Sequence, residues 1–169
     1  MVATADNLII EDAEVIFRNF AGAEKTFNSA GDRNFCVILE PKLADKLKKD
    51  GWNVKELKAR EEGDEPRQYL QVAVNYSKGR PPRVLLISNN GKNRVDLGSD
   101  EVEMLDYADV KIWDLVLNPY PWDVNGNTGI KAYLKNAFVT INENALELKY
   151  ADMDEENQVP PMSSTASDS

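Results

Sequence analysis

The sequence predicts a mainly β protein: an OB-like antiparallel β-barrel with one or two short helices and a disordered acidic C-terminal tail. Three observations predict this fold class. Short runs of β-branched and aromatic residues recur along the chain, turn-forming residues separate them, and an acidic stretch without bases lies near the end. Short strands of mostly antiparallel order are typical of small closed or partly closed barrels, and the OB-fold is a common binding architecture of that kind.

The first half of the chain is predicted to contain four strands and one helix. The first strand is long, with an irregularity near Glu11 and Asp12. Pro41 opens the helix because proline fits a first helical turn, and Gly51 ends it. The fourth strand alternates apolar with polar residues and is therefore half buried. These elements are strands at residues 8–20, 33–39, 52–57 and 69–76 and a helix from Pro41 to Gly51, with loops at 21–31 and 58–66.

The second half is predicted to contain strands and one short acidic helix. Asn-Asn-Gly at residues 89–91 indicates a tight turn. Ser99 is suited to cap the acidic helix. Two prolines and an Asn-Gly pair indicate an extended hairpin loop over residues 118–128. The predicted elements are strands at residues 83–88, 110–117, 129–141 and 146–150 and a helix at 99–107.

Charge is segregated along the chain. The net charge is −9, but five of the 29 acids lie in residues 150–169, which contain no base, so the remainder carries −4. Residues 77–95 hold five cations and no acid, and would create a local positive field. Residues 151–169 have too few apolar residues to offset their ordering entropy. We therefore expect a folded domain at residues 1–150 and a disordered acidic tail at 151–169.

Several classes of function are disfavoured by composition. The chain has no histidine, which most proton-transfer and catalytic zinc sites use, and no phosphate-binding or nucleophile motif. We expect no enzyme activity, cofactor or metal site, since the acidic stretch 96–109 fits a solvated helix face. No apolar run could span a membrane, and the N-terminus does not resemble a signal peptide. The lone Cys36 fits a small buried residue in a reducing cytoplasm.

The most informative segment is residues 129–138. Alternate side chains of a strand point to opposite faces, so Lys131, Tyr133 and Lys135 would share one face. A tyrosine between two ammonium groups combines base stacking with attraction for a nucleic-acid backbone. A solvated strand face with an incidental tyrosine is the alternative interpretation. The opposite, core face would hold Ile130, Ala132, Leu134 and Phe138.

Other cations stand beside aromatic residues. Arg18 would share a strand face with Phe20, and Arg33 with Phe35, and both phenylalanines are expected in the core. Trp122 falls in a predicted loop, where an exposed ring is costly without a purpose. The basic residues of 77–95 either contact a nucleic acid or only make two loops soluble.

An ordered set of short segments is distributed along the chain: Ile16–Phe20, Gly31–Phe35, Gly51–Val54, Tyr69–Val72, Arg80–Pro82, Trp122–Gly126 and Gly129–Leu134. In these segments the chain resembles a family of single-stranded-DNA-binding proteins encoded by tailed bacteriophages, particularly those of actinobacteria. The resemblance covers roughly residues 8–151. It implies an OB-like barrel that coats single strands during replication or recombination, in the cytoplasm of a bacterial host. It also implies an acidic tail that docks replication or recombination proteins and competes with DNA.

The sequence thus predicts a protein that binds single-stranded DNA without sequence preference. The alternative is an acidic protein-binding module, such as a phage inhibitor of a host factor, which explains the net charge but not the basic segment. A carboxylate-dependent nuclease is a further alternative. The expected nucleic-acid-binding residues are Arg18, Arg33, Lys78, Arg80, Arg83, Lys92, Arg94, Trp122, Lys131, Tyr133 and Lys135.

Overall fold

A computed structural model describes residues 6–58, 63, 65–77 and 79–142 of the chain. Within them the protein is mainly β, as predicted, with nine strands, one α-helix and one 3-10 helix. The strands are β1 Leu8–Ile10, β2 Glu14–Asn19, β3 Arg33–Leu39, β4 Val54–Leu57, β5 Arg67–Val74, β6 Arg83–Ser88, β7 Asn93–Leu97, β8 Val110–Val124 and β9 Asn127–Ile141. The α-helix α1 is Pro41–Asp50, and the 3-10 helix is Val102–Asp106.

The strand order of the sheet is β1-β8-β9-β5-β3-β2. Its two end strands, β1 and β2, follow each other in the chain, so the sheet curves round into an OB-like barrel. β1 and β2 are the two halves of the predicted first strand, and they separate at the predicted irregularity, where Asp12 has a φ of +49°. The Asp12 N–H donates to Asp114 Oδ1 at 2.8 Å, and the Ala13 N–H donates to the Trp113 carbonyl at 2.7 Å. β1 therefore joins β8, and β2 joins β3.

For several other predicted elements, the structure confirms both the element and the residues at which it begins or ends. β3 and β6 have the predicted limits, and α1 begins at Pro41. Gly51 ends the helix with a φ of +98°, a conformation that glycine adopts readily, and its N–H donates to the Lys48 carbonyl. Asn89 and Asn90 form the predicted turn with positive φ. The turn joins β6 to β7, a strand that the sequence analysis did not identify.

The predicted hairpin loop at residues 118–128 is wrong. From Leu117 onward, β8 and β9 pair regularly up to a two-residue turn, Asn125-Gly126, whose φ angles are +52° and +84°. Pro119 and Pro121 are compatible with this pairing because β1 covers β8 only as far as Leu117. Beyond that point β8 is an edge strand, where a missing N–H breaks no ladder. The hairpin therefore extends past the body of the barrel.

A bulge interrupts β9 in its middle. On β8, Leu117 pairs with Leu134 while the adjacent Val116 pairs with Asn136, so Lys135 is an extra residue. On its other edge, β9 pairs with β5 before the bulge and with β6 after it. The bulge thus lies where β9 changes partners.

The bulge also corrects the predicted core face of β9. Phe138 was expected to share the buried face with Leu134. After the extra residue the alternation is reversed, so Ala137 and Val139 are buried and Phe138 is only half buried. The alternation of apolar and polar residues assumes an unbroken pleat, which this strand does not have.

The predicted acidic helix is shorter than expected, because only Val102–Asp106 forms a 3-10 turn. Ser99 does not cap it. The Glu101 carboxylate instead accepts a hydrogen bond from the Gly98 N–H at 2.9 Å. Asp106 accepts hydrogen bonds from the N–H groups of Phe20 and Ala21, which hold the turn against the end of β2.

Three stacked aromatic rings lie in the core of the barrel. Phe20 and Phe35 are fully buried, as expected, with ring centroids 5.2 Å apart, and Trp113 stacks 5.9 Å from Phe20.

Burial raises the pKa of the Cys36 thiol to about 11, against the opposing effect of Lys55, so the thiol stays protonated.

Some predictions lie outside the described residues. These are the strand at 146–150, the acidic tail at 151–169 and much of the loop at 58–66. In the part of the chain that is described, no helix is both long and apolar enough to cross a bilayer.

Candidate nucleic-acid interface

The outward faces of β3, β5 and β9 form the floor of a groove with a volume of about 620 Å³. Leu70, Val72 and Val74 of β5 point into the core, so the intervening Gln71 and Ala73 point outward. We call this site the basic groove. Three cations and three aromatic residues line it together with several amide side chains: Arg33, Lys55, Lys131, Phe27, Tyr76 and Tyr133.

Lys131 and Tyr133 occupy the β9 side of the basic groove. The Lys131 Nζ lies 5.2 Å from the centroid of the Tyr133 ring, a cation–π contact. Tyr120, across the hairpin on β8, meets Tyr133 edge-on with centroids 5.5 Å apart and is 56% exposed. The Tyr133 ring is therefore held from two sides at the rim of the groove.

Arg33 and Tyr76 form a second cation–aromatic pair on the β3 side. The Arg33 guanidinium lies 5.1 Å from the Tyr76 ring centroid, and its Nη1 donates to the Ser99 carbonyl at 2.7 Å. Burial raises the pKa of Tyr76, and the nearby positive charge of Arg33 partly opposes that shift. The Tyr76 hydroxyl is buried and has no hydrogen-bond partner within the described residues.

Phe27 lies at the mouth of the basic groove and is 99% exposed. It belongs to the loop between β2 and β3, which Asn28 organises from within. The Asn28 side chain donates to the carbonyls of Ala23 and Asp32, both at 2.9 Å, and accepts from the Asn34 Nδ2 at 2.7 Å. An exposed ring on a braced loop is a ready surface for a planar ligand.

Trp122 lies near the turn of the β8–β9 hairpin, where it pairs with Gly129, and it is outside the residues that line the groove. A β-carbon on Gly129 would lie 2.6 Å from Trp122 Cζ2 and 2.5 Å from the Asn53 side-chain oxygen. Only glycine allows the ring and the amide to approach the backbone so closely. The half-buried Trp122 therefore positions the hairpin beside Asn53, which lines the groove.

Arg18 and Arg83 have partners within the protein. The Arg18 guanidinium donates to the carbonyls of Leu105 and Ala108, at 3.0 and 2.7 Å, and lies 5.5 Å from the Trp113 ring centroid. Arg83 forms an exposed ion pair with Asp96 at 3.0 Å, which raises the pKa of the guanidinium. The other predicted cations that are described, Arg80, Lys92, Arg94 and Lys135, are exposed and do not line the groove, and Lys78 lies outside the described residues.

Sequence reasoning placed Arg33, Lys131 and Tyr133 in the site, and the structure brings these three together. It did not identify Phe27 or Lys55. A phenylalanine in a polar loop was a usable signal for Phe27. Lys55 gave no signal, because β4 reaches the groove only through its pairing with β5, and its Nζ donates to Gln71 Oε1 at 3.4 Å.

A second groove, of about 810 Å³, lies at the other ends of β3 and β5. Its wall includes the exposed Ile9, and Arg67 is its one lining cation among the described residues. Arg67 is already ion-paired with Glu14. No group of three or more acids in the described part of the chain is arranged to hold a metal ion. We call this site the acidic groove after six lining residues: Glu11, Asp12, Glu14, Glu40, Asp45 and Glu65.

Solved structures of a bacteriophage Enc34 protein share this fold. A single-stranded DNA-binding protein from bacteriophage Enc34, solved in complex with single-stranded DNA, matches with a TM-score of 0.52 and 10% identity, over 82% of this chain and 88% of that chain. The C-terminal truncation of the Enc34 protein matches with a TM-score of 0.51, 10% identity and coverages of 82% and 87%. A single-stranded DNA-binding protein encoded by bacteriophage T7 matches with a TM-score of 0.39 and 12% identity, over 93% and 100%.

A search of curated proteins gives no match to this chain. One family model, described as "Putative phage ssDNA-binding domain", matches residues 1–169. Because that match spans the whole sequence, the chain belongs to the phage single-stranded-DNA-binding domain family.

Proposed function

We propose that the basic groove is where this member of the family binds single-stranded DNA, and that it does so without sequence preference. The observation that carries the proposal is the convergence of Arg33 of β3 with Lys131 and Tyr133 of β9 on one groove. Phosphates are attracted by the cations, and a base stacks on the tyrosine. Stacking is tolerant of sequence because every base has a π-face.

The charge of the basic groove supports this assignment. Arg33, Lys55 and Lys131 line it against one lining acid among the described residues, Asp32. The chain as a whole is acidic, so this groove is a local exception to its surroundings. Phosphate contacts supply much of the affinity for nucleic acids, and the groove offers the cations that such contacts need.

The aromatic residues favour a single strand over a duplex. A base must leave its stack to lie on Tyr133 or Phe27, and a duplex withholds its bases. Amide side chains in the groove, including Asn34, Asn53 and Gln71, offer donors and acceptors to sugars and base edges. They are adaptable contacts that do not select one base.

The remaining predicted residues have secondary roles in this proposal. The exposed Arg80, Lys92, Arg94 and Lys135 attract the strand outside the groove, together with Lys78. Trp122 positions the hairpin, and Arg18 positions the 3-10 helix through its carbonyl contacts. Arg83 contributes less than the others because Asp96 already neutralises it.

We further propose that the protein coats single strands during phage DNA replication and recombination, in the cytoplasm of the bacterial host, without enzyme activity or a cofactor. Residues 1–150 form the DNA-binding domain in this proposal. Residues 151–169 form an acidic tail that competes with DNA and docks replication or recombination proteins. The alternative of an acidic inhibitor of a host factor has no support in the family assignment.

The test is a titration of a labelled mixed-sequence oligonucleotide, followed by fluorescence anisotropy, with the same sequence as a duplex in parallel. We expect tighter binding of the single strand. Tyr133→Ala should weaken it by about 1–3 kcal/mol, the usual value of one base–aromatic stack. Tyr107→Ala is the matched control, since Tyr107 is 91% exposed and lines neither groove. Equal affinity of a folded Tyr133→Ala protein would remove this residue from the site.

A further inference from the structure

The outward face that forms the basic groove continues along β5 to a second aromatic pair. Phe17 of β2 and Tyr69 of β5 meet edge-on, with ring centroids 6.5 Å apart and an interplanar angle of 79°. Neither lines the basic groove. Phe17 is 61% exposed, although a large apolar ring at a strand position normally packs inward.

A β-bulge turns Phe17 outward. Ile16 pairs with Cys36 on the outward face, so in a regular strand Phe17 would point into the core. The register shifts between Ile16 and Asn19 instead, and Phe17 has a φ of +51°. A bulky residue rarely adopts this left-handed conformation, and bulges next to functional sites re-aim side chains. The backbone therefore departs from regular geometry to expose this ring.

The pair lies on the same surface as the basic groove and within reach of it. Tyr69 precedes Ala73, which lines the groove, by four residues of one strand, or roughly 13 Å. Gln71 lies between them on the same face. Lys55 pairs with Tyr69 across β4 and β5 and also lines the groove, so one cation borders both places. A backbone leaving the groove along β5 would pass this ammonium group.

On the side of the Phe17–Tyr69 pair away from the basic groove, the outward surface of β5 runs into the acidic groove. Arg67, the next outward residue of β5, is ion-paired with Glu14, and further acids lie beyond it. A phosphate would be repelled there. The Phe17–Tyr69 pair is thus the last aromatic position before the sign of the charge changes.

We propose that Phe17 and Tyr69 form a second base-stacking subsite, which extends the path of single-stranded DNA from the basic groove along β5. The proposal rests on the proposed function, since it needs the groove to hold the adjoining nucleotides. The subsite takes an unpaired base against the exposed face of Phe17, with Tyr69 bracing that ring from the side. Lys55 contacts the phosphate between the two subsites.

The experiment measures affinity for oligonucleotides of increasing length, from about 4 to about 16 nucleotides, the range of sites on OB folds. Tyr133→Ala should weaken binding at every length. Phe17→Ala should leave the shortest oligonucleotide unaffected and weaken the longer ones about 5- to 150-fold, the equivalent of one stacked base. Tyr107→Ala again serves as the control, with melting curves to verify folding.

Two further variants separate stacking from a general apolar contact. Phe17→Trp should restore the affinity for long oligonucleotides, and Phe17→Leu should not, because leucine has no π-face. Restoration by both would overturn the proposal, as would a folded Phe17→Ala protein that equals the parent at every length. Failure of the parent to bind any length would instead overturn the assignment of the groove itself.

Discussion

The basic and acidic grooves occupy opposite ends of the same two strands. Arg33 of β3 lines the basic groove, while Ile38 and Leu39, at the other end of that strand, line the acidic one. The acidic groove is the larger, about 810 against 620 Å³, yet it presents six acids where the basic groove presents three cations. The scaffold supplies two clefts, and the residues at strand ends and in loops decide which one attracts phosphate. Volume alone would favour the acidic groove.

Reversing the charge of the lysines in the basic groove should have the largest effect, because it removes the difference in charge between the two grooves. Lys55→Glu with Lys131→Glu would make both grooves acidic. We expect the affinity for single-stranded DNA to fall about 10- to 1,000-fold at low salt, the range over which focused charge changes association. Lys42→Glu with Lys46→Glu is the matched control, because these exposed lysines of α1 line neither groove and change the net charge equally. Equal losses in both pairs would mean that net charge, not the groove, governs binding.

Removing an aromatic surface should have the next largest effect. Phe27→Ala should weaken binding by about 1–3 kcal/mol, one stacked base, and leave the melting temperature unchanged because the ring is 99% exposed. Phe27→Tyr, which retains a ring, should bind like the parent. Anisotropy titrations and melting curves of the three proteins test this expectation. Full affinity of Phe27→Ala would exclude the loop from the interface.

The cations of the basic segment 77–95 should matter less. Replacement of Lys78, Arg80 and Arg83 with alanine should lower the slope of log affinity against log salt concentration by about 0.7 for each phosphate that the variant no longer neutralises. Arg83 should contribute the smallest part of that change, since Asp96 is its ion-pair partner. Titrations at several salt concentrations, with Arg83→Ala alone for comparison, measure the slopes. The same slope in every protein would limit these residues to solubility.

Removal of residues 151–169 should have the smallest effect and the opposite sign. The segment carries five acids and no base, so its loss should strengthen DNA binding at low salt. Exposed charges are screened, and the gain should fade as salt shortens the Debye length from about 10 Å at 0.1 M. The melting temperature should hardly change, because the segment is poor in apolar residues. Equal low-salt affinities of full-length and truncated protein would reject the competition.

Local sequence patterns correctly predicted the elements whose boundaries are marked by particular residues, such as proline or glycine. Pro41 and Gly51 mark the ends of α1, and the alternation of residues in β5 gives its buried face. The patterns failed where the tertiary context decides. Pro119 looked like a loop residue because the sequence does not reveal that β8 lacks an outer neighbour there. The bulge at Lys135 lies where β9 stops pairing with β5 and begins to pair with β6, and these pairings are not visible in the local sequence.

The site was predictable only in part for the same reason. Lys131 and Tyr133 are two residues apart on one strand, so periodicity placed them on one face. Lys55 of β4 and Tyr76, which follows β5, reach the groove only through the pairing of their segments with other strands. Sequence reasoning also did not identify Phe17 as an exposed ring. Only the register shift of β2 reveals its exposure.

The regular pairing of β8 with β9 next to their turn has a consequence for the order of folding. Their ladder starts at Val124–Asn127 beside a two-residue turn, so it needs almost no loop closure, and hairpins of this kind form in about 1–10 μs. Closure of the barrel pairs Leu8 with Leu117 and must wait for slow long-range contacts. Arg33 is brought beside Tyr133 by the pairing of β3 with β5 and of β5 with β9, which also joins residues far apart in the chain. We therefore expect Tyr133 to be placed early and Arg33 late, so that a newly synthesised chain would complete the basic groove only late in folding.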